Sequence, residues 1–163
     1  MLAKALAAPY PTVRMDTSAR EAAQLLAERH LPGLIVVDEH DHPVAILPGS
    51  QVLRLLVPTY VQDDPTLARV LDEKYADRIC EVLIGKTVAD MLPSDSARRT
   101  LPVVAPDDTV LEIAALMAAN RSPIVAVVEE RDKRAPLIGA VSVSDLLERL
   151  LADTANAGTT DRS

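Results

Sequence analysis

Side chains suited to chemistry fall in a few places along the chain, and the richest is the run P-L-I-G-A-V-S-V-S-D-L-L-E-R-L at residues 136–150. Leu137, Ile138, Ala140 and Val141 form an apolar stretch of strand length. Gly139 within it permits close backbone approach by a ligand or by another chain segment. Ser142 begins a helix, and Asp145 three residues later places a carboxylate where it can accept hydrogen bonds from a helix start or from a diol. S-x-x-D is also a capping arrangement that needs no ligand and is worth about 1 kcal/mol. A second grouping, D-E-H-D-H at residues 38–42, offers the imidazoles and carboxylates that ligate metals. Adjacent residues on a tight turn are expected to splay apart, so this segment reads as a solvated turn, with no metal site. His30 reads as a helix-end residue interacting with the dipole, and Arg98 and Arg99 as a solvated loop. The lone Cys80 has helical neighbours and no nearby histidine, which favours a packed or surface thiol over a nucleophile. No nucleophile elbow, Walker loop or H-E-x-x-H motif occurs, so no catalytic residues are assigned and no enzyme is expected.

The elements that would position these groups recur at an offset of 91 residues. Val13 answers to Val104, Ser18 to Thr109, Glu21 to Glu112, Leu26 to Met117, His30 to Arg121, Pro32 to Pro123, and Val36 and Val37 to Val127 and Val128. The second copy lengthens one loop by three residues, E-R-D-K-R-A against E-H-D, and carries no histidine there. Val44 then answers to Ile138, Gln51 to Asp145 and Leu53 to Leu147. A length change confined to a turn is what a structural repeat tolerates. Each copy reads strand, helix, strand, strand, helix. Residues 2–7 form a short helical lead-in to the first copy, and T-V-A-D-M-L at residues 87–92 one to the second. Ser18 and Glu21 mark a capping box, and Pro32 with Gly33 stops that helix. The pattern predicts an α/β (α+β) fold with pseudo-two-fold symmetry. Its parts are a first motif with its lead-in at residues 1–58, a helical connector at 59–86, a second motif at 87–152 and a frayed tail at 153–163. In the connector, Asp63 and Asp64 before Pro65 signal a helix start. Leu67, Val70, Leu71, Tyr75, Ile79, Val82 and Leu83 form a drifting apolar stripe that ends at Gly85, predicting one helix laid on the core or against a partner.

Composition narrows the classes of function. The 163 residues are 48% hydrophobic yet include no Phe or Trp, so Leu, Val, Ile, Ala and Met must fill the core and base-stacking platforms are scarce. A net charge of -7 opposes a phosphate backbone, so no nucleic-acid partner is expected. One cysteine excludes an intramolecular disulfide and fits a reducing cytoplasm. No apolar run approaches the roughly 20 residues that span a bilayer, and the N-terminus lacks the apolar core of a secretory signal, so no membrane insertion is expected.

A tandem repeat with V-A-D-M-L leading in, V-A-P-D-D-T-V-x-E-I-A-x-L-M, S-P-I-V-A-V-V and L-I-G-A-V-S-V-S-D-L-L resembles the cystathionine-β-synthase (CBS) domain pair, or Bateman module, over nearly the whole chain. The resemblance implies two CBS motifs packed through their strands, a homodimer, and clefts that bind adenosine derivatives. It also implies regulation of a partner in trans, an enzyme or a transporter. The family signature G-h-x-[ST]-x-x-D falls on Gly139, Ser142 and Asp145. By the same resemblance, Ile124 and Val125 flank an adenine with backbone groups, Thr100 to Val104 form the opposite wall, and Arg121 pairs with a phosphate. The first copy has Ala45, Pro48 and Gln51 at the signature positions, so one nucleotide per chain at most is expected. The ligands implied are AMP, ADP, ATP or S-adenosylmethionine, acting as regulators with no cofactor required. The alternative is a ligand-free dimerising scaffold, in which Ser142 and Asp145 only cap their helix.

Overall fold

A computed structural model describes residues 1–93, 101–131 and 134–157. The chain divides into two compact units, Pro11–Glu39 with Ala45–Arg99, and Met1–Tyr10 with His40–Val44 and Thr100–Ser163.

The first sheet has the order β1 (Thr12–Arg14), β2 (Gly33–Val37), β3 (Pro43–Pro48). Strands β1 and β2 are parallel, with Val13 opposite Val36. Between them runs α2 (Ala19–Glu28), whose N-cap Ser18 accepts a hydrogen bond from the Glu21 amide at 3.1 Å, as the S-x-x-E spacing predicts. Helix α3 (Gly49–Leu56) follows β3 directly. Val13, Ala22, Leu26, Leu34, Val36, Leu47 and Val52 form an aliphatic core, which is the only kind open to a chain without Phe or Trp.

The second unit repeats the plan. Strands β4 (Val103–Val104), β5 (Ile124–Val128) and β6 (Leu137–Ser142) form a sheet in that order, with β4 parallel and β6 antiparallel to β5. Helices α7 (Val110–Asn120) and α8 (Val143–Ala157) cover it. Thr109 and Glu112 close a full capping box at the start of α7. The repeat extends to backbone dihedrals: His30, just past the C-cap of α2, and Arg121, the C-cap of α7, paired by the 91-residue offset, both have positive φ, 52° and 49°. The Gly49 amide donates to Pro32 O at 3.1 Å, and the Val143 amide to Pro123 O at 3.0 Å, the same bond in each copy.

The lead-ins are exchanged. Helix α1 (Ala3–Leu6) belongs to the unit of the second copy: the Ala3 and Lys4 amides donate to Asp108 O and Pro106 O at 2.7 and 3.0 Å. The carboxylate of Asp108, 5% exposed, holds that turn closed by accepting from the Ala105 amide at 2.9 Å and from the Arg131 guanidinium. Helix α6 (Val88–Met91) joins the first copy's unit instead, through the Val88 and Ala89 amides bonded to Thr17 O and Met15 O at 2.9 and 3.0 Å. A four-residue helix cannot stand alone, and each is held by these backbone bonds and by a buried alanine or valine.

Three expectations are corrected. The connector is not one helix: α4 (Thr59–Asp63), a 3-10 turn (Pro65–Val70), α5 (Glu73–Arg78) and another 3-10 turn (Ile79–Leu83) replace it. Asp64 and Asp72 each cap a fresh start, and Leu71 is extended between two of the pieces. The apolar stripe is therefore split, leaving Val70 79% exposed and Leu83 buried. The tail expected from Asp153 begins as helix, because α8 continues through Ala157 once its first turns are formed. The turn histidines do not splay: Asp41 has φ of 61°, and the rings of His40 and His42 stack with centroids 5.7 Å apart. No helix among the described residues is long and apolar enough to cross a membrane.

Candidate functional site

Strand β6 runs straight into α8, and the junction gathers several of the singled-out residues. Ser142, the last strand residue, lies opposite Ile124 in the antiparallel register. Asp145 sits in the first turn of α8. The Ser142 hydroxyl donates to Asp145 Oδ2 at 2.6 Å, the Ser142 amide donates to the same oxygen at 3.3 Å, and the Asp145 amide donates back to Ser142 Oγ at 3.1 Å. This is a reciprocal capping arrangement. Asp145 is exposed, and its other oxygen, Oδ1, accepts no hydrogen bond among the described residues. A carboxylate fixed through one oxygen and open at the other is preorganised to accept from a second donor pair.

Gly139 is closely approached by another segment of the chain. It pairs with Val127 in the sheet, and a Cβ built on it would stand 2.7 Å from Ala8 O. Ala8 is bridged to the neighbouring Ala140 by two backbone hydrogen bonds, each 3.0 Å. The close approach that the glycine permits is thus made by the exchanged lead-in.

Ile124 and Val125 are fully buried in β5. The Ile124 carbonyl already accepts from the Ser122 hydroxyl at 2.7 Å, with Ser122 itself buried. Val104 pairs with Val127 and packs into the core of its unit. Arg121 caps α7 and lines a groove between α7 and α8 with Ser122, Pro123, Val143, Leu146 and Leu150; neither Ser142 nor Asp145 is among the groove's walls. Thr100, Arg98 and Arg99 lie outside the described residues.

At the corresponding junction of the first copy, Pro48 occupies the cap and supplies no side-chain hydrogen bond. Gln51 lines an open pocket of about 500 Å³ with Arg54, Thr59, Gln62 and Asp90. The Gln62 amide nitrogen is committed to Arg54 O and Val57 O at 2.8 and 2.7 Å.

One residue of the site is absent from the motif reading. Tyr10, two residues beyond the Ala8 bridge, is partly buried, and burial followed by the negative charge of Asp145 pushes its phenol from 10.0 up to about 12. The sequence signal was a tyrosine flanked by Pro9 and Pro11 in a chain with three tyrosines and no other large aromatic residue. Absorbance at 295 nm should show one phenol ionising near pH 12, and Tyr10→Phe should abolish that step. The folded phenol binds its proton more tightly than the unfolded one. Its contribution to stability is therefore complete below about pH 10 and is lost as pH rises toward 12. A titration unchanged by Tyr10→Phe would contradict this placement.

A family model described as CBS domain matches residues 3–58 and 88–152. Among solved structures, a CBS domain-containing protein of unknown function from Kribbella flavida is 53% identical. The match covers 93% of this chain and 99% of that one, with a TM-score of 0.79. CBSX2, a CBS-pair protein from Arabidopsis thaliana, solved in complex with AMP, is 20% identical over 94% of this chain and 98% of its own, with a TM-score of 0.63. The CBS domain pair of a protein designated MJ0100, in complex with 5'-methylthioadenosine and S-adenosyl-L-methionine, is 20% identical over 94% and 98%, with a TM-score of 0.62. Comparison with curated proteins finds no match.

Proposed function

Because the chain belongs to the CBS domain family, we propose that it is a regulatory module that takes an adenine nucleotide or another adenosyl ligand at the strand-to-helix junction of its second motif. It would signal the ligand's presence to an enzyme or transporter in trans. The observation that carries this reading is the Ser142 and Asp145 pair, held together by three hydrogen bonds with one carboxylate oxygen still able to accept from a ribose. The AMP and S-adenosylmethionine complexes of two structural neighbours guide the choice of ligand class. Signalling requires that bound and free states differ in their free energy of interaction with the partner.

A homodimer is part of the proposal. Helix α8 exposes Leu147 and Leu151 at 51% and 67%, beside the apolar groove it forms with α7, and a second copy would cover them. Calorimetric titration with AMP, ADP, ATP, S-adenosylmethionine and cyclic dinucleotides, with sedimentation equilibrium on the same samples, tests the reading. Heat of binding from at least one adenosyl ligand on a dimeric protein is expected. Silence from all of them would end the adenosyl proposal.

The reciprocal capping favours one second reading, a ligand-free dimerising scaffold in which Ser142 and Asp145 serve only to start α8.

A further inference from the structure

The turn that joins β2 to β3 holds a feature that the adenosyl reading does not use. Asp38, His40 and His42 lie within five residues of chain, and each can direct one donor atom to a common point, with all three atoms within 4.8 Å of one another. One feature of the backbone produces this. The left-handed conformation of Asp41, φ 61°, tightens the turn and brings the imidazoles into a stack 5.7 Å between centroids. At the foot of the turn the Asp38 carbonyl is held by the Arg14 guanidinium at 2.9 Å, which fixes the strand end from which the carboxylate projects.

We propose that Asp38, His40 and His42 form a site for a divalent transition-metal ion of the zinc class, bound by two imidazole nitrogens and one carboxylate oxygen, with water completing the coordination. The donor set decides the metal. Imidazole suits zinc, nickel and copper, whereas magnesium and calcium take oxygen ligands almost exclusively. Ligand nitrogens and oxygens about 2.0–2.2 Å from zinc stand roughly 3.3 Å from one another, so the donors must close by about 1.5 Å. His40 is exposed and Asp38 and His42 are partly so, which leaves the donors within reach of an ion from solvent. The second copy's loop carries no histidine at all, so a single ion per chain is expected.

Isothermal titration of the full chain with zinc chloride tests the site. A Cys80→Ser background keeps the exposed thiol from contributing. One zinc ion per chain is expected, unaffected by millimolar magnesium, with His40→Ala and His42→Ala each weakening binding at least about tenfold and Asp38→Asn weakening it less. All three positions lie on a surface turn, and circular dichroism on each variant distinguishes lost ligation from lost fold. Absence of zinc binding in the parent chain overturns the proposal, as does binding that survives unchanged in the His40→Ala, His42→Ala double variant.

Discussion

Asp145→Asn is expected to weaken binding of an adenosyl ligand about ten- to a hundredfold while leaving the fold in place. Asparagine keeps the shape and one acceptor oxygen, so the helix start loses at most about 1 kcal/mol of capping. It loses the charge that makes hydrogen bonds from a ribose diol strong. Hydrogen bonds to charged groups are worth roughly 1.5–3 kcal/mol, and about 1.4 kcal/mol is a factor of ten in affinity. Calorimetry of wild type and variant against the same ligand, with thermal melts in parallel, separates the two roles. A melting point shifted by a few degrees with affinity unchanged would assign Asp145 to the helix cap alone. The geometry makes this a sharp comparison, because Oδ2 is committed to Ser142 and Oδ1 is the oxygen left for a ligand.

Gly139→Ala should cost the free protein about 1–3 kcal/mol, the range for forcing an atom into a packed position. The added Cβ would meet Ala8 O at 2.7 Å, and the backbone of a residue bridged to Ala140 by two hydrogen bonds cannot swing aside as a side chain would. The lead-in must lift from β6 or the strand must shift. At about 2–4 °C per kcal/mol for a chain of this length, the melting temperature should fall by roughly 2–12 °C without any ligand present. Deleting residues 1–8 should remove most of that difference between glycine and alanine, since the atom that clashes goes with them. Tyr10 provides a second readout. If the lead-in lifts, its phenol regains water and moves away from Asp145, so its ionisation should drop from about 12 toward 10.0. A glycine kept only for a ligand would give neither effect, and a Gly139→Ala protein as stable as wild type would refute the account of the lead-in.

Much of the fold was legible in the order of residues, because the signals that specify it are short-ranged. The β-branched apolar run in V-A-V-V, the helical spacing of Ile113 and Met117, the caps at Ser18 and Thr109, and the 91-residue offset all report on residues within one element or between copies of it. Ser142 and Asp145 belong to the same class: three residues apart across a strand end, they meet in any chain that turns into a helix there. The connector misled for a related reason. Its apolar spacing is helical throughout, yet Asp64 and Asp72 offer caps that restart the chain, and periodicity alone does not weigh a cap against continuation.

What tertiary structure alone decided is which distant surface each short segment completes. Residues 2–7 read as a lead-in to the copy they precede, yet Ala3 and Lys4 are bonded to Asp108 and Pro106, and Ala8 just after them to Ala140. That exchange gives the lead-in its close approach to Gly139 and brings Tyr10 under the influence of Asp145. The side chains of Asp38, His40 and His42 likewise come together through one left-handed residue, which the letters D-E-H-D-H permit but do not demand. A four-residue helix or a five-residue turn carries too little free energy of its own to specify a partner. Its place is set by the backbone donors, acceptors and apolar gaps that the larger elements leave unsatisfied once they have packed.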